Sequence, residues 1–208
     1  MLKPNHFALY ALIATCCAIE LALVLSDRAV IVPLHVRQLA YDYGAFWPGL
    51  LGNWKPNYAA QPYTMFLTYS FLHGGIVHLV VNMISLWSLG NAVLNRVGQV
   101  RFVLLYFGSS LGGSAVFAML APTLRPMVGA SGSLFGLLGA IVAWDYLDRY
   151  SNLEGLRDAA RVVAILVGLN LVLWWAMDGQ LAWQTHLGGF LAGWVVALLI
   201  KRKPLEDC

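Results

Sequence analysis

Four hydrogen-bonding side chains fall inside long apolar runs, at spacings that suit acyl-transfer chemistry. His78 and Asn82 are four residues apart, so on a helix both project from one face. Ser131 sits in Gly129-Ala130-Ser131-Gly132, just after Pro126 and at the junction into an apolar stretch. Small neighbours leave the serine hydroxyl and backbone N–H unobstructed, and a nucleophilic serine needs both, one to attack and the other to receive the oxyanion. His186 lies in Thr185-His186-Leu187-Gly188-Gly189, with Gly193 one turn further. Ser131 as nucleophile, His186 as base, and His78 and Asn82 as oxyanion donors make a complete acyl-transfer set. Taken singly, each has a structural reading: a serine bonding its own helix, or a histidine or asparagine bridging two helices. Their conjunction favours chemistry.

The elements that hold these residues are membrane spans. Of 208 residues, 60% are hydrophobic and 11% charged, where a soluble domain carries about 25% charged. That composition excludes a soluble globule. A net charge of +3 on scattered basic residues gives no phosphate-binding patch and argues against nucleic acid. Six apolar segments predict an all-α polytopic membrane protein, a six-helix bundle forming one domain over residues 1–208. They run from Phe7 to Leu25, Ile76 to Leu94, Phe102 to Ala121, Met127 to Tyr146, Val162 to Met177 and Trp183 to Ile200. The first reads as a retained span rather than a cleaved signal. Between the first two, residues 26–75 form a long loop holding Trp47, Trp54 and four prolines. It suits a structured or amphipathic segment at the interface.

The bias of basic residues orients the spans. With the N-terminus inside, Lys3, Arg96, Arg101, Arg149, Arg157, Arg161, Lys201, Arg202 and Lys203 face inward. Arg28, Arg37, Lys55 and Arg125 face outward, so both termini are expected on the cytoplasmic side. Counted from the outer ends, His78, Asn82, Ser131 and His186 lie two, six, four and three residues into their spans. That is one layer roughly 3 to 9 Å deep. Trp144 and Trp183 fall at span ends, as interfacial belt residues should. Glu20 and Asn170 have no companion at their depth and read as packing or interfacial residues. The three cysteines, two of them adjacent, make neither a disulfide framework nor a metal motif.

Gly129-Ala130-Ser131-Gly132, His78-x-x-x-Asn82 and His186-x-x-Gly189-x-x-x-Gly193, in that family's order along nearly the whole chain, resemble the rhomboid intramembrane serine proteases. The resemblance implies a Ser–His dyad without an aspartate, cutting a peptide bond in or beside a substrate's transmembrane segment. By that likeness Ser131 attacks and His186 accepts its proton. The Ser131 backbone N–H, His78 and Asn82 hold the oxyanion, with Gly129, Gly132 and Gly189 in supporting places. Phe135 falls where the family often has a tyrosine against the catalytic histidine, and His73 matches a recurrent loop histidine. Pro62-Tyr63-Thr64-Met65 departs from the Trp-Arg pair common in that loop, and Thr185 stands where alanine is usual. The implied partners are transmembrane-segment substrates and lipid, with no cofactor, no metal and no nucleic acid. A bacterial inner membrane is the expected home.

Two other readings stay open. A metal-dependent enzyme using His73, His78 and His186 lacks the H-E-x-x-H motif, and five residues put His73 and His78 about 140° apart on a helix. A non-proteolytic relative that binds transmembrane segments would be expected to have lost the serine or the histidine. The motifs Gly108-x-x-x-Gly112, Gly132-x-x-x-Gly136 and Gly189-x-x-x-Gly193 predict close helix contacts.

Overall fold

The computed structural model describes residues 6–28, 35–121, 124–148 and 181–201, with scattered helical positions from 157 to 168. Helix α1 spans Phe7–Asp27. The long loop contains α2 (Val36–Gly44), a 3₁₀ turn (Pro48–Leu51), α3 (Gln61–Thr68) and a second 3₁₀ turn (Tyr69–Phe71). Then come α4 (Ile76–Val97), α5 (Gln99–Leu120), α6 (Ser131–Asp148) and α7 (Trp183–Leu199). Extended pairing among the described residues is one isolated bridge, Phe46 with Met127. The chain is an all-α integral membrane protein. By length and composition α1, α4 and α5 can each cross a membrane. The predicted fifth span, Val162 to Met177, lies largely outside the described residues, and Asn170 lies wholly outside.

Helices α4 and α5 form a hairpin with a one-residue joint. Gly98 has φ +77°, a left-handed conformation that glycine adopts without a Cβ penalty. Its N–H bonds the Leu94 carbonyl at 2.9 Å, closing α4, while its own carbonyl accepts from Phe102 N–H at 3.0 Å, opening α5. Helix α5 therefore starts three residues earlier than the apolar run suggested.

Helices α5, α6 and α7 make the closest contacts. Lipid tails give no hydrophobic drive to push helices together, so this approach needs small residues. A Cβ on Gly193 would collide with the Gly136 carbonyl, and one on Gly139 with the Phe190 carbonyl. A Cβ on Gly188 would lie 2.5 Å from the Gly112 carbonyl oxygen. At the other end of the bundle Trp144 is fully buried. It donates from Nε1 to the Ala197 carbonyl at 3.0 Å, with the Arg96 guanidinium 5.2 Å from its ring centroid. Trp144 is thus a core residue and not a belt residue, because its indole N–H finds a carbonyl inside the bundle.

The loop is fastened without a Trp-Arg pair. Glu20, expected to be without companions, is buried and held by Arg37, with Nη2 to Oε1 at 2.9 Å and Nη1 to Oε2 at 3.2 Å. Arg37 Nε also donates to Asp27 at 2.7 Å. Burial alone would lower the Arg37 pKa, but the bonds to Glu20 and Asp27 outweigh it and raise it. Glu20 is buried while the Arg37 side chain is 22% exposed, and breaking the pair would strand the Glu20 carboxylate in the interior, so this clamp ties α2 to α1. Thr68 Oγ1 bonds the Gly44 carbonyl at 2.7 Å, and Phe46 packs edge-on against Phe66, Tyr69 and Phe117.

Candidate active site

Ser131 is the first residue of α6, four residues later than the apolar run begins. The delay has a cause in tertiary contacts. Met127 exchanges two backbone hydrogen bonds with Phe46, at 3.0 and 2.9 Å, and Gly129 N–H donates to the Tyr69 carbonyl at 3.0 Å. Tyr69 is itself held by its hydroxyl, which donates to the Ser110 carbonyl at 2.9 Å. Residues 127–130 are thereby kept out of the helix. The first intrahelical bond runs from Leu134 N–H to the Ala130 carbonyl. A helix start leaves its first N–H groups without an intrahelical partner, and the Ser131 N–H is one of these.

His186, one turn into α7, is 6% exposed. Its Nε2 is hydrogen-bonded to Ser131 Oγ at 2.9 Å. Phe135, one turn beyond Ser131, lies parallel to the imidazole, with centroids 4.2 Å apart and planes 8° apart. Glycine permits this meeting: a Cβ on Gly189 would strike the Gly132 carbonyl oxygen. The Thr185 methyl fills the space beside Gly132, 2.6 Å from where a Cβ would be.

His78 approaches from α4. Gly74 N–H donates to its Nδ1 at 3.1 Å, which leaves the proton of the neutral ring on Nε2. That edge faces Gly129: a Cβ there would lie 2.9 Å from His78 Nε2 and 3.9 Å from Ser131 Oγ. Gly129 also has φ +126°, so conformation and space both require glycine. Asn82 is buried, and its Nδ2 donates to the His78 carbonyl at 2.8 Å. One of its two amide hydrogens is therefore committed to its own helix.

His73 is fully buried, its ring edge-to-face with His78 at 5.3 Å between centroids. Neither ring nitrogen has a well-formed hydrogen bond among the described residues. Burial first, and then His78, push its pKa down to about 4. The folded state therefore resists a proton that the unfolded chain accepts near pH 6.5. The sign follows: stability is intact above about pH 6.5 and declines as pH falls toward 4, by up to about 3 kcal/mol. Thermal unfolding in detergent at pH 7.5 and 4.5 checks this, with His73→Phe expected to narrow the gap between the two pH values.

Several residues the sequence did not mark hold this arrangement. Arg37 Nη1 donates to the His73 carbonyl at 3.2 Å, and Tyr41 Oη donates to it at 2.7 Å. A carboxylate inside an apolar run, followed by two arginines in the next loop, Arg28 and Arg37, was the available signal for the Glu20–Arg37 pair. Nothing local indicated Phe46 or Tyr69.

A partly buried serine–imidazole pair at a helix start, inside a helical integral membrane protein, defines the class. The chain belongs to the rhomboid family: residues 60–203 match the Rhomboid domain model. It is similar to RHOMBOID-like protein 5 of Arabidopsis thaliana, 36% identical over 135 residues, covering 64% of this chain and 43% of that protein. Rhomboid protease GluP of Bacillus subtilis is 34% identical over 131 residues, covering 63% of this chain and 25% of GluP. Mitochondrial Rhomboid protein 1 of Saccharomyces cerevisiae is 31% identical over 149 residues, covering 64% of this chain and 42% of that protein. The chain thus spans less than half the length of each of these relatives.

Proposed function

We propose that this chain is an intramembrane serine endopeptidase that cleaves membrane-protein substrates in or beside a transmembrane segment. The observation that carries the reading is the 2.9 Å hydrogen bond between Ser131 Oγ and His186 Nε2. Similarity to a relative named a rhomboid protease supports it. The whole chain acts as one six-span domain, both termini cytoplasmic, in a bacterial inner membrane.

Ser131 Oγ attacks the scissile carbonyl carbon as its proton passes to His186 Nε2. The C–O bond forms, and the carbonyl oxygen takes the negative charge. Three donors converge on that charge: the Ser131 N–H, His78 Nε2–H and the second amide hydrogen of Asn82. When the C–N bond breaks, His186 returns the proton to the leaving amine. Water then adds to the acyl-enzyme by the same route, restoring Ser131. Phe135 holds the imidazole plane against Ser131 by stacking, without a hydroxyl to donate.

The test is incubation of the purified chain with a model transmembrane substrate in detergent, mass mapping of any cut, and labelling by a serine-directed probe. Cleavage and a labelled Ser131 peptide support the reading. Substrate binding with neither cleavage nor labelling overturns it in favour of a transmembrane-segment binder. Loss of one oxyanion donor in a soluble serine protease costs about 10²–10³ in rate. His78→Ala and Asn82→Ala are accordingly expected to lower kcat by that order while probe labelling at Ser131 persists. Wild-type kcat in both variants would return these residues to purely structural roles.

A further inference from the structure

The peptide group joining His73 to Gly74 is gripped from both sides. Its carbonyl oxygen accepts from Arg37 Nη1 at 3.2 Å and Tyr41 Oη at 2.7 Å. Its N–H donates to His78 Nδ1 at 3.1 Å. A peptide is one conjugated unit, so donors on the oxygen draw electron density toward it and strengthen the N–H as a donor. The charged member of the pair is itself fixed, because Glu20 holds Arg37 through two nitrogens and Asp27 holds its Nε.

We propose that Arg37 and Tyr41 are positioning residues that hold His78 as the Nε2–H tautomer through the His73–Gly74 peptide. With Nδ1 committed as an acceptor, the single proton of the neutral ring sits on Nε2. That is the edge beside Gly129 and Ser131. The other tautomer would set two N–H groups against each other at Gly74 and turn a lone pair toward the developing oxyanion. Helix α1 and the loop thereby reach the chemistry: Glu20 sets Arg37, Arg37 and Tyr41 set the peptide, and the peptide sets His78. The inference rests on the oxyanion role proposed for His78.

Tyr41→Phe is the cleanest probe, since it removes one hydroxyl and leaves the buried Glu20–Arg37 pair intact. Glu20→Gln combined with Arg37→Gln removes the clamp without stranding a buried charge. Cleavage of a model transmembrane substrate gives kcat and KM, and ¹⁵N NMR of histidine-labelled protein gives the tautomer, with the His78 signals assigned by their loss in His78→Ala. Partners that orient metal-ligating histidines are typically worth about 10–100-fold, and the lower end of that range is taken for the metal-free His78. Tyr41→Phe is expected to lower kcat about tenfold with KM nearly unchanged. Adding the two glutamines should approach the rate of His78→Ala, and His78 Nδ1 should gain protonated character. In a His78→Ala background, Tyr41→Phe should have no further effect, because the two act in series.

The proposal is overturned by an unchanged His78 ¹⁵N signature in all these variants, or by a kcat loss of the same size with and without His78. The NMR measurement needs no turnover, so it judges the tautomer even if the wild-type chain cleaves nothing. That latter failure, with Ser131 unlabelled, would count against the protease reading alone.

Discussion

Ser131→Ala is expected to abolish cleavage while expression, helicity and thermal stability stay close to wild type. Losing the nucleophile of a serine protease costs on the order of 10⁶ in kcat, which puts the variant below detection. His186→Ala should be as inactive, because the imidazole bonded to Ser131 at 2.9 Å is the base that makes the hydroxyl nucleophilic. The double variant should be no worse than either single one, since residues that act as a unit are not additive. Each is assayed against the same transmembrane substrate, with mass spectrometry reading the cut. Undiminished proteolysis by Ser131→Ala would sink the assignment outright. A double variant much slower than either single one would show that serine and histidine contribute separately.

Gly189→Leu is expected to lower activity at least 10²-fold, the order expected when reacting groups are misplaced by about 1 Å. The cause is steric. Gly189 lies one turn after His186 on α7, and any Cβ there meets the Gly132 carbonyl beside Ser131. Backbone cannot rotate aside as a long side chain can, so α6 and α7 separate and the Ser131–His186 bond lengthens. The variant should still insert, because leucine favours the bilayer. Val195→Leu is the control, on the same helix but 56% exposed, and it should be fully active. Cleavage rate and thermal stability distinguish the two, with membrane insertion checked by cysteine accessibility. A fully active Gly189→Leu enzyme would mean that this contact does not set the distance between nucleophile and base.

The residue types proposed for the chemistry, and the helices that carry them, are local properties of the chain. An apolar run long enough to span is visible in one window, and a His78–Asn82 pair four apart shares a face wherever its helix packs. Glycines flanking Ser131 and following His186 likewise announce close approach without saying to what. Sequence alone therefore determined the all-α membrane class, the positions of α1, α4 and α5 to within a few residues, and a short set of candidates. Only the tertiary structure decided partners distant along the chain. Glu20 had no visible companion until folding brought Arg37 to it, and Trp144 looked interfacial until Ala197 supplied a buried acceptor for its indole. Helix α6 starts at Ser131 because Phe46 and Tyr69 bond Met127 and Gly129 and keep them out of the helix. Hydropathy cannot see that, since residues 127–130 are apolar enough to continue a helix. Periodicity and composition are fixed by neighbours within a few turns, whereas hydrogen bonds and ion pairs join groups that only the completed fold makes adjacent.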